Sequence, residues 1–446
     1  MNQTIRSRIE QIKRGEIPEG YEKTPFGIFP CDWEKDKSFK ELFSFFGGLG
    51  KSREELGTNG VCYLHYGDMH TGNFTKVSYA QYFDKPKYEI KISGEESFLM
   101  NDGDIAFLDA SEDLEGTSRA VLIDNPENRP FIAGLHTILA KEKQKVLSKN
   151  YKQYISMPQY VRKQFQRLAV GFKVYGLNRE TFNKVKISFP KSKVEQEKIA
   201  EILQEQDRLI ELKEKLIEEK KKQKQYLMEA LLTGKVRLPG FTDEWVVIPL
   251  GQVSDMSSGG TPLTSKQEYF GNDHIWVSIA DMSSSGKYIF DSKIKLSNLG
   301  LNNCSARLFK KGTVLFAMYA SIGECVIAGE ECCTSQAILG IVPNTEKLNN
   351  EFLYYSLIQK KTSIIAMQQA SSQPNLNKGL VQSIQIELPP RLEQIAIVNV
   401  LSKADDELDL LQKELEEQKR KKQSLMQLLL TGIVRVKALS ILVEEN

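Results

Sequence analysis

Two stretches of this chain place apolar residues at alternating intervals of four and three. In the distal stretch they are Ile397, Leu401, Ala404, Leu408, Leu411, Leu415, Leu425 and Leu429, interrupted only by Gln418 and Lys422. Residues so spaced return to one face of a helix and form the seam of a coiled coil. The central stretch keeps Ile199, Leu203, Ile210, Ile217, Leu227 and Leu231 in the same frame but puts Gln206, Lys213, Lys220 and Lys224 on it, a weaker seam by itself. Pro190, or Pro389 and Pro390, precedes each stretch, and Gly234 or Gly432 in LLTG follows it, the expected start and stop signals. The pattern predicts a helix over 195–232, a rod of about 57 Å at roughly 1.5 Å per residue. A rod of that length needs a partner, and the other helix is the economical one.

The two stretches are copies. At an offset of 198 residues, 195–238 lies without gaps over 393–436, with about 20 of 44 positions identical. With one residue dropped the match extends upstream, setting Leu177, Asn178, Ile187 and Pro190 over Leu376, Asn377, Ile386 and Pro389. The repeat unit is thus about 200 residues. A third fragment, QIKRGEI at 11–17, resembles the helix exit ALLTGKV at 230–236, with Gly15 in the place of Gly234 and Gly432. Each exit leads on to a tryptophan, Trp33 or Trp245. The chain reads as a ring of two units cut open just inside one helix.

Between the helices lie two divergent segments that share only a skeleton. VCYLHYGDM (61–69) corresponds to HIWVSIADM (274–282), and GDIAFLDAS (103–111) to GTVLFAMYAS (312–321), each an apolar run bounded by turn residues as strands are. Helical stretches are predicted near 151–167 and 350–369, so each segment is mixed α/β. The predicted order is a helical fragment at 1–20, a variable domain at 21–190, the central helix within 191–238, a second variable domain at 239–389, the distal helix within 390–437 and a tail at 438–446. Near-copied helices packed antiparallel give the chain pseudo-twofold symmetry. Equivalent domains that differ most in their loops are suited to reading different things.

Composition narrows the classes. At 446 residues, with 41% hydrophobic and 26% charged, the chain is an ordinary globular protein of several domains. No run approaches the roughly 18 apolar residues of a membrane helix, and the polar amino end lacks the core of a signal peptide, so a cytoplasmic location is expected. The six cysteines (Cys31, Cys62, Cys304, Cys325, Cys332, Cys333) form no CxxC pair, which argues against a disulfide framework or a structural zinc. Sixty basic against 58 acidic residues exclude the global basicity of a nonspecific nucleic-acid coat but leave room for a local basic surface. There is no NPPY or DPPY element and no GxxxxGK[ST] loop. The histidines, His65, His70, His136 and His274, are scattered and read as structural.

The alternation of two divergent domains with two repeated helices resembles the specificity subunit of type I restriction-modification enzymes. SGGTP (258–262) after Trp245, WVSIADM, the exit LPPRLEQ (388–394) and LLTGKVRLPGF (231–241) carry the resemblance, which covers essentially the whole chain. The first domain departs from it, with FFGGLGK (45–51) for the GGTP element and KSKVEQ (191–196) for the exit. The resemblance implies two target-recognition domains in a pseudo-twofold arrangement, joined by a long antiparallel two-helix coiled coil and each reading one half of a split, asymmetric duplex DNA site. It implies that this chain is not an enzyme. Modification subunits, two of them, would bind S-adenosylmethionine and methylate adenine, and restriction subunits would use ATP and Mg to translocate and cut. The helices would act as spacer and docking site, leaving an unread gap of about 6 to 8 base pairs if the domains lie about one helical turn apart.

Base reading needs donors and acceptors on loops: Arg or Lys for guanine, Asn or Gln for adenine, Ser or Thr for either. In the first domain the candidates are Lys51 and Arg53 in GKSREE (50–55) and Lys173 in VGFKVYG (170–176). In the second they are Thr261, Thr264, Ser265 and Lys266 in TPLTSKQEY (261–269), Tyr319 and Ser321 in AMYASIG (317–323), and Gln373, Asn375, Asn377 and Lys378 in SSQPNLNK (371–378). The basic runs at 220–224 and 419–422 read as solvated helix faces or as phosphate contacts. A self-contained restriction-methylation enzyme would need methyltransferase motifs, and a coiled-coil scaffold would bind all duplexes alike.

Overall fold

The computed structural model describes residues 3–436 apart from 72–74, 83–84, 86, 93–95, 115 and 371–375. It divides into two units, one made of residues up to 212 together with those from 415 onward, the other of 213–414. The boundaries fall inside the two long helices, Lys193–Leu232 and Arg391–Leu429. Each unit therefore holds one of the variable domains and one end of each long helix.

The two domains have the same topology despite their divergent sequences. In the first, a five-stranded sheet runs in the order Phe43–Gly47, Thr137–Glu142, Ile105–Leu108, Ala120–Asp124, Lys76–Ser78. In the second the order is Ser254–Ser258, Ile338–Pro343, Val314–Ala317, Cys325–Ala328, Tyr288–Ile289. Each sheet is antiparallel except for its last pair. Each domain adds a three-stranded sheet, centred on Val61–Leu64 and on Phe270–Val277. A further antiparallel pair joins an early strand of each domain to its last, Trp33–Ser38 with Lys186–Pro190 and Val246–Pro249 with Gln385–Leu388.

The helical stretches expected at 151–167 and 350–369 are each broken in two. In the first domain Lys149–Lys152 and Gln159–Leu168 flank a turn. Pro158 explains the break, because it has no N–H to donate and pushes Met157 out of the helical region. In the second, Asn350–Gln359 ends at Lys360 before Lys361–Ala370 begins.

In the first unit the core gathers Phe39, Phe43, Phe107, Phe165 and Phe182 with Ile199 and Leu203 of the central helix, Leu429 at the end of the distal one and Leu430 just beyond it. The second unit matches it with Phe316, Phe352 and Tyr355 packed with Met228 and Leu231 of the central helix and Ile397 and Leu401 of the distal one. The long helices pair antiparallel as a two-helix coiled coil. Of the seam residues, Ile199, Leu203, Ile217, Leu231, Ile397, Leu401, Leu415 and Leu429 are buried, while Ile210, Leu227, Leu408, Leu411 and Leu425 are half-buried.

The polar seam positions, which weaken the central helix when it is considered alone, find partners on the distal helix. Gln206 is buried and its amide donates to the Gln418 side chain at 2.9 Å. Lys213 meets Glu414 and Lys220 meets Glu407, both at 2.7 Å, and Lys224 meets Asp405. Lys422 pairs with Asp207 in the first unit as Lys224 does with Asp405 in the second, positions related by the 198-residue offset with the helices exchanged. These seam cations are therefore satisfied within the chain.

Candidate nucleic-acid interface

Strand register determines what meets at one edge of each five-stranded sheet. In the first unit Gly47 pairs with Ile138 and Leu108 with Thr137, so the exits of two strands and the entry of a third share that edge. In the second, Ser258 pairs with Leu339 and Ala317 with Ile338. The chain crosses the edge at the same tight point in both units. Gly48 N–H donates to Thr137 O at 3.1 Å and Gly259 N–H to Ile338 O at 3.1 Å. A Cβ on Gly48 would lie 1.8 Å from Gly134 O, and one on Gly259 2.1 Å from Thr334 O. Only glycine passes so close to another backbone. FFGGLGK, which takes the place of the GGTP element in the sequence, thus makes the same backbone passage as SGGTP despite its different side chains.

A third loop joins the same edge. Leu177 N–H donates to Asp109 O at 2.7 Å, and Leu376 N–H to Met318 O at 3.3 Å. These bonds bring the segment before Leu177, and Leu376 itself, alongside the strand exits at 109 and 318. In the first unit the edge collects 48–55, 109–111, 134–137 and 170–176. In the second it collects 259–266, 318–321 and 335–337, with Leu376 beside them.

The individual candidates differ in what they already hold. Lys51 binds Glu55 at 2.8 Å and stands 5.1 Å from the Tyr88 ring centre; the Glu55 carboxylate and the Tyr88 oxygen raise its pKa above the ordinary lysine value. Its loop is pinned by Tyr63, whose hydroxyl donates to Leu49 O and accepts from Leu135 N–H, each at 2.7 Å. Burial raises the Tyr63 pKa, which keeps it a phenol that can serve both partners. The backbone of Arg53 lies in the short turn Arg53–Glu55. Lys173 is exposed, with no ion pair among the described residues.

In the second unit the Thr261 hydroxyl bonds the Gln336 side chain, and Trp276 Nε1–H donates to Gly260 O at 3.0 Å, fastening the SGGTP loop from two sides. Thr264 and Ser265 are exposed at its tip, and Lys266 lies 5.3 Å from the Tyr269 ring centre. Tyr319 and Ser321 are exposed on the turn after Val314–Ala317, where Ser321 takes φ 61°. Asn377 is occupied as an N-cap, its side-chain oxygen accepting from Leu380 N–H at 3.0 Å, as Asn178 does from Thr181 N–H. Lys378 begins the short helix Lys378–Ser383. Gln373 and Asn375 lie outside the described residues. Two residues that the sequence did not offer as base readers stand on the same edges: His136, read there as structural, bonded to Asp109 at 3.1 Å with the Tyr66 ring 5.3 Å away, and Gln336. Their only sequence signal is adjacency to a strand entry.

Each domain is tied to the long helices by buried and half-buried polar bonds. The Tyr154 hydroxyl donates to Asp207 at 2.7 Å, and the Tyr355 hydroxyl to Asp405 in the second unit. Arg435 grips Glu195 at 2.6 and 2.8 Å and Asp32 at 2.8 Å; Arg237 grips Glu393 at 2.6 and 2.8 Å, and Trp245 Nε1–H adds a bond to the same carboxylate at 2.9 Å. Among the described residues no group of three metal-ligating side chains comes together, and no helix is long and apolar enough to cross a membrane.

Two similarly built domains, each presenting divergent loops at one sheet edge and braced by a shared pair of helices, define a paired reading module. The family model for the type I restriction modification DNA specificity domain matches residues 30–221 and again 242–420. The chain belongs to that family. The MjaX type I restriction enzyme specificity subunit of Methanocaldococcus jannaschii is 25% identical over 439 residues, spanning 94% of this chain and 97% of the relative. The MjaIX specificity subunit of the same organism is 30% identical over 167 residues, 36% of this chain and 38% of the relative. Among solved structures, the S subunit of the type I restriction-modification system from M. genitalium superposes with a TM-score of 0.54 at 16% identity, covering 89% of this chain and 96% of that one. A chain from a study of complex assembly and conformational transition in a type I system gives 0.59 at 18%, covering 91% and 99%. These two likenesses establish the fold.

Proposed function

We propose that this specificity subunit reads a bipartite, asymmetric duplex DNA target, one half with each domain, and directs adenine methylation and restriction carried out by partner subunits. The observation that carries this reading is the pair of equivalent edges: one frame, built twice, with the same backbone passage at Gly48 and Gly259 and different side chains beyond it. A scaffold would have no use for two such loop sets, and nothing favours that alternative. The chain itself supplies no catalysis. S-adenosylmethionine, ATP and Mg belong to the methyltransferase and restriction subunits of a cytoplasmic complex. Exposed apolar residues of the long helices, among them Val194 and its repeat equivalent Leu392, are suited to docking two methyltransferase subunits.

Mapping methylated adenines in the host genome, with and without the gene, tests the proposal. A two-part motif with a constant gap should vanish on deletion. Retention of every methylated motif would refute it, as would methyl transfer by the highly purified chain alone.

A further inference from the structure

The loop 170–176 of the first unit is built unlike its neighbours. Val170 and Gly176 exchange backbone hydrogen bonds at 3.0 and 2.7 Å, and Tyr175 and Gly176 pair with Ser111 and Ala110, so the loop is a hairpin fastened to the reading edge. Gly171 closes its tip at φ 138°, where a Cβ would lie 1.8 Å from Val174 O. On this anchored tip Phe172 is 93% exposed, with Val170 at 74% and Val174 at 52%. A lone exposed apolar side chain is ordinary, but three exposed together on one anchored tip form a patch of the kind that marks an interaction site.

Charge identifies the partner. From 143 to 179 the chain has Lys143, Lys145, Lys149, Lys152, Arg162, Lys163, Arg167, Lys173 and Arg179 and not one Asp or Glu, within a molecule whose net charge is +2. Lys143, Lys149 and Lys152 are held by Lys40 O, by Asp102 and Asp124, and by Glu142. Lys163, Arg167, Lys173 and Arg179 are exposed before, within and after the hairpin. A bulky ring set among cations suits a polyanion with apolar surface between its charges, which is what duplex DNA offers through base faces and thymine methyl groups.

We propose that hairpin 170–176 is a DNA-contacting finger in which Phe172 packs on apolar base surface while Lys173 contacts phosphate, making Phe172 a determinant of the half-site read by the first domain. This rests on the specificity-subunit reading and extends it to a residue type outside the hydrogen-bonding code. The salt dependence of binding separates the two roles. Each phosphate contact releases counterions and steepens the dependence of log K on log salt by about one, whereas an apolar contact leaves the slope unchanged.

The test uses the full chain, co-produced with its methyltransferase subunits, and a duplex carrying the genome-mapped site. Phe172→Ala should weaken binding about tenfold at an unchanged salt slope. Lys173→Ala should lower the slope by about one and weaken all sequences alike. Benzoylphenylalanine at position 172 should crosslink to the duplex on irradiation. Replacing thymine by uracil at the crosslinked position, or placing 2-aminopurine there, distinguishes a methyl contact from an unstacked base, and either supports the finger. Crosslinking only to a methyltransferase subunit, or wild-type affinity for Phe172→Ala, would overturn it. A wild-type complex that did not prefer the mapped duplex over a random one would instead overturn the DNA-reading premise.

Discussion

Asp104 shows at the scale of one residue how burial sets a proton. Desolvation pushes its carboxyl up to about 6, against the Asn101 N–H bond and the nearby Lys141 and Lys152, which act to lower it. In the unfolded chain the group ionises near 4. Between about 4 and 6 the unfolded state is therefore charged while the folded state holds a proton, so this residue's contribution to stability falls as pH rises through that window and stays low above it. Asp104→Asn keeps an oxygen to accept the Asn101 N–H. It should raise stability at pH 7.5 by about 1 to 3 kcal/mol and flatten the pH dependence between 4 and 6. Urea unfolding at several pH values checks this, and an unchanged profile would refute it. Arg435 presents the opposite case, a guanidinium whose removal leaves Glu195, with a side chain 8% exposed, buried without its partner. Arg435→Met should cost about 3 kcal/mol in chemical denaturation, mostly from that stranded carboxylate. The exposed Asp32 adds little. A loss under about 0.5 kcal/mol, the range of a surface substitution, would mean that Glu195 finds water.

At the scale of elements, the long helices combine an apolar seam with polar links that fix their register. The contact between Gln206 and Gln418 works as a buried polar pair does in any coiled coil, restricting alignment at some cost in stability. Replacing both glutamines by leucine should stabilise the chain by about 1 to 3 kcal/mol, read as a rise in denaturation midpoint, and should loosen register, read as mixed crosslinks between cysteines placed along the two helices. Gln206→Leu alone should be less favourable than the double change, because it leaves the Gln418 amide without its partner. If the single variant were the more stable one, the pair would not be a register device. The periodicity that revealed these helices was legible because it is local. The acids that answer Lys213, Lys220 and Lys224 were not, since they lie about 180 to 200 residues away and are identified only once the helices run antiparallel.

For the whole molecule, the modular build has a direct consequence. Exchanging residues 239–389 for the equivalent domain of a relative should change one half of the methylated motif and leave the other half intact, as read by methylome sequencing. A change in both halves would mean that the domains read cooperatively. The duplication, the helix limits, the seam and the alternation of constant and variable segments were determined by the sequence alone, because repetition, 3.6-residue periodicity and Pro and Gly punctuation are properties of neighbouring residues. The shared backbone passage of FFGGLGK and SGGTP, the gathering of three or four distant loops on one sheet edge, the use of Asn377 as a cap and the exposure of Phe172 were decided only by tertiary structure. Strand pairing across tens to hundreds of residues chooses which turns become neighbours, and a glycine's necessity or a phenyl ring's isolation is a fact about those neighbours.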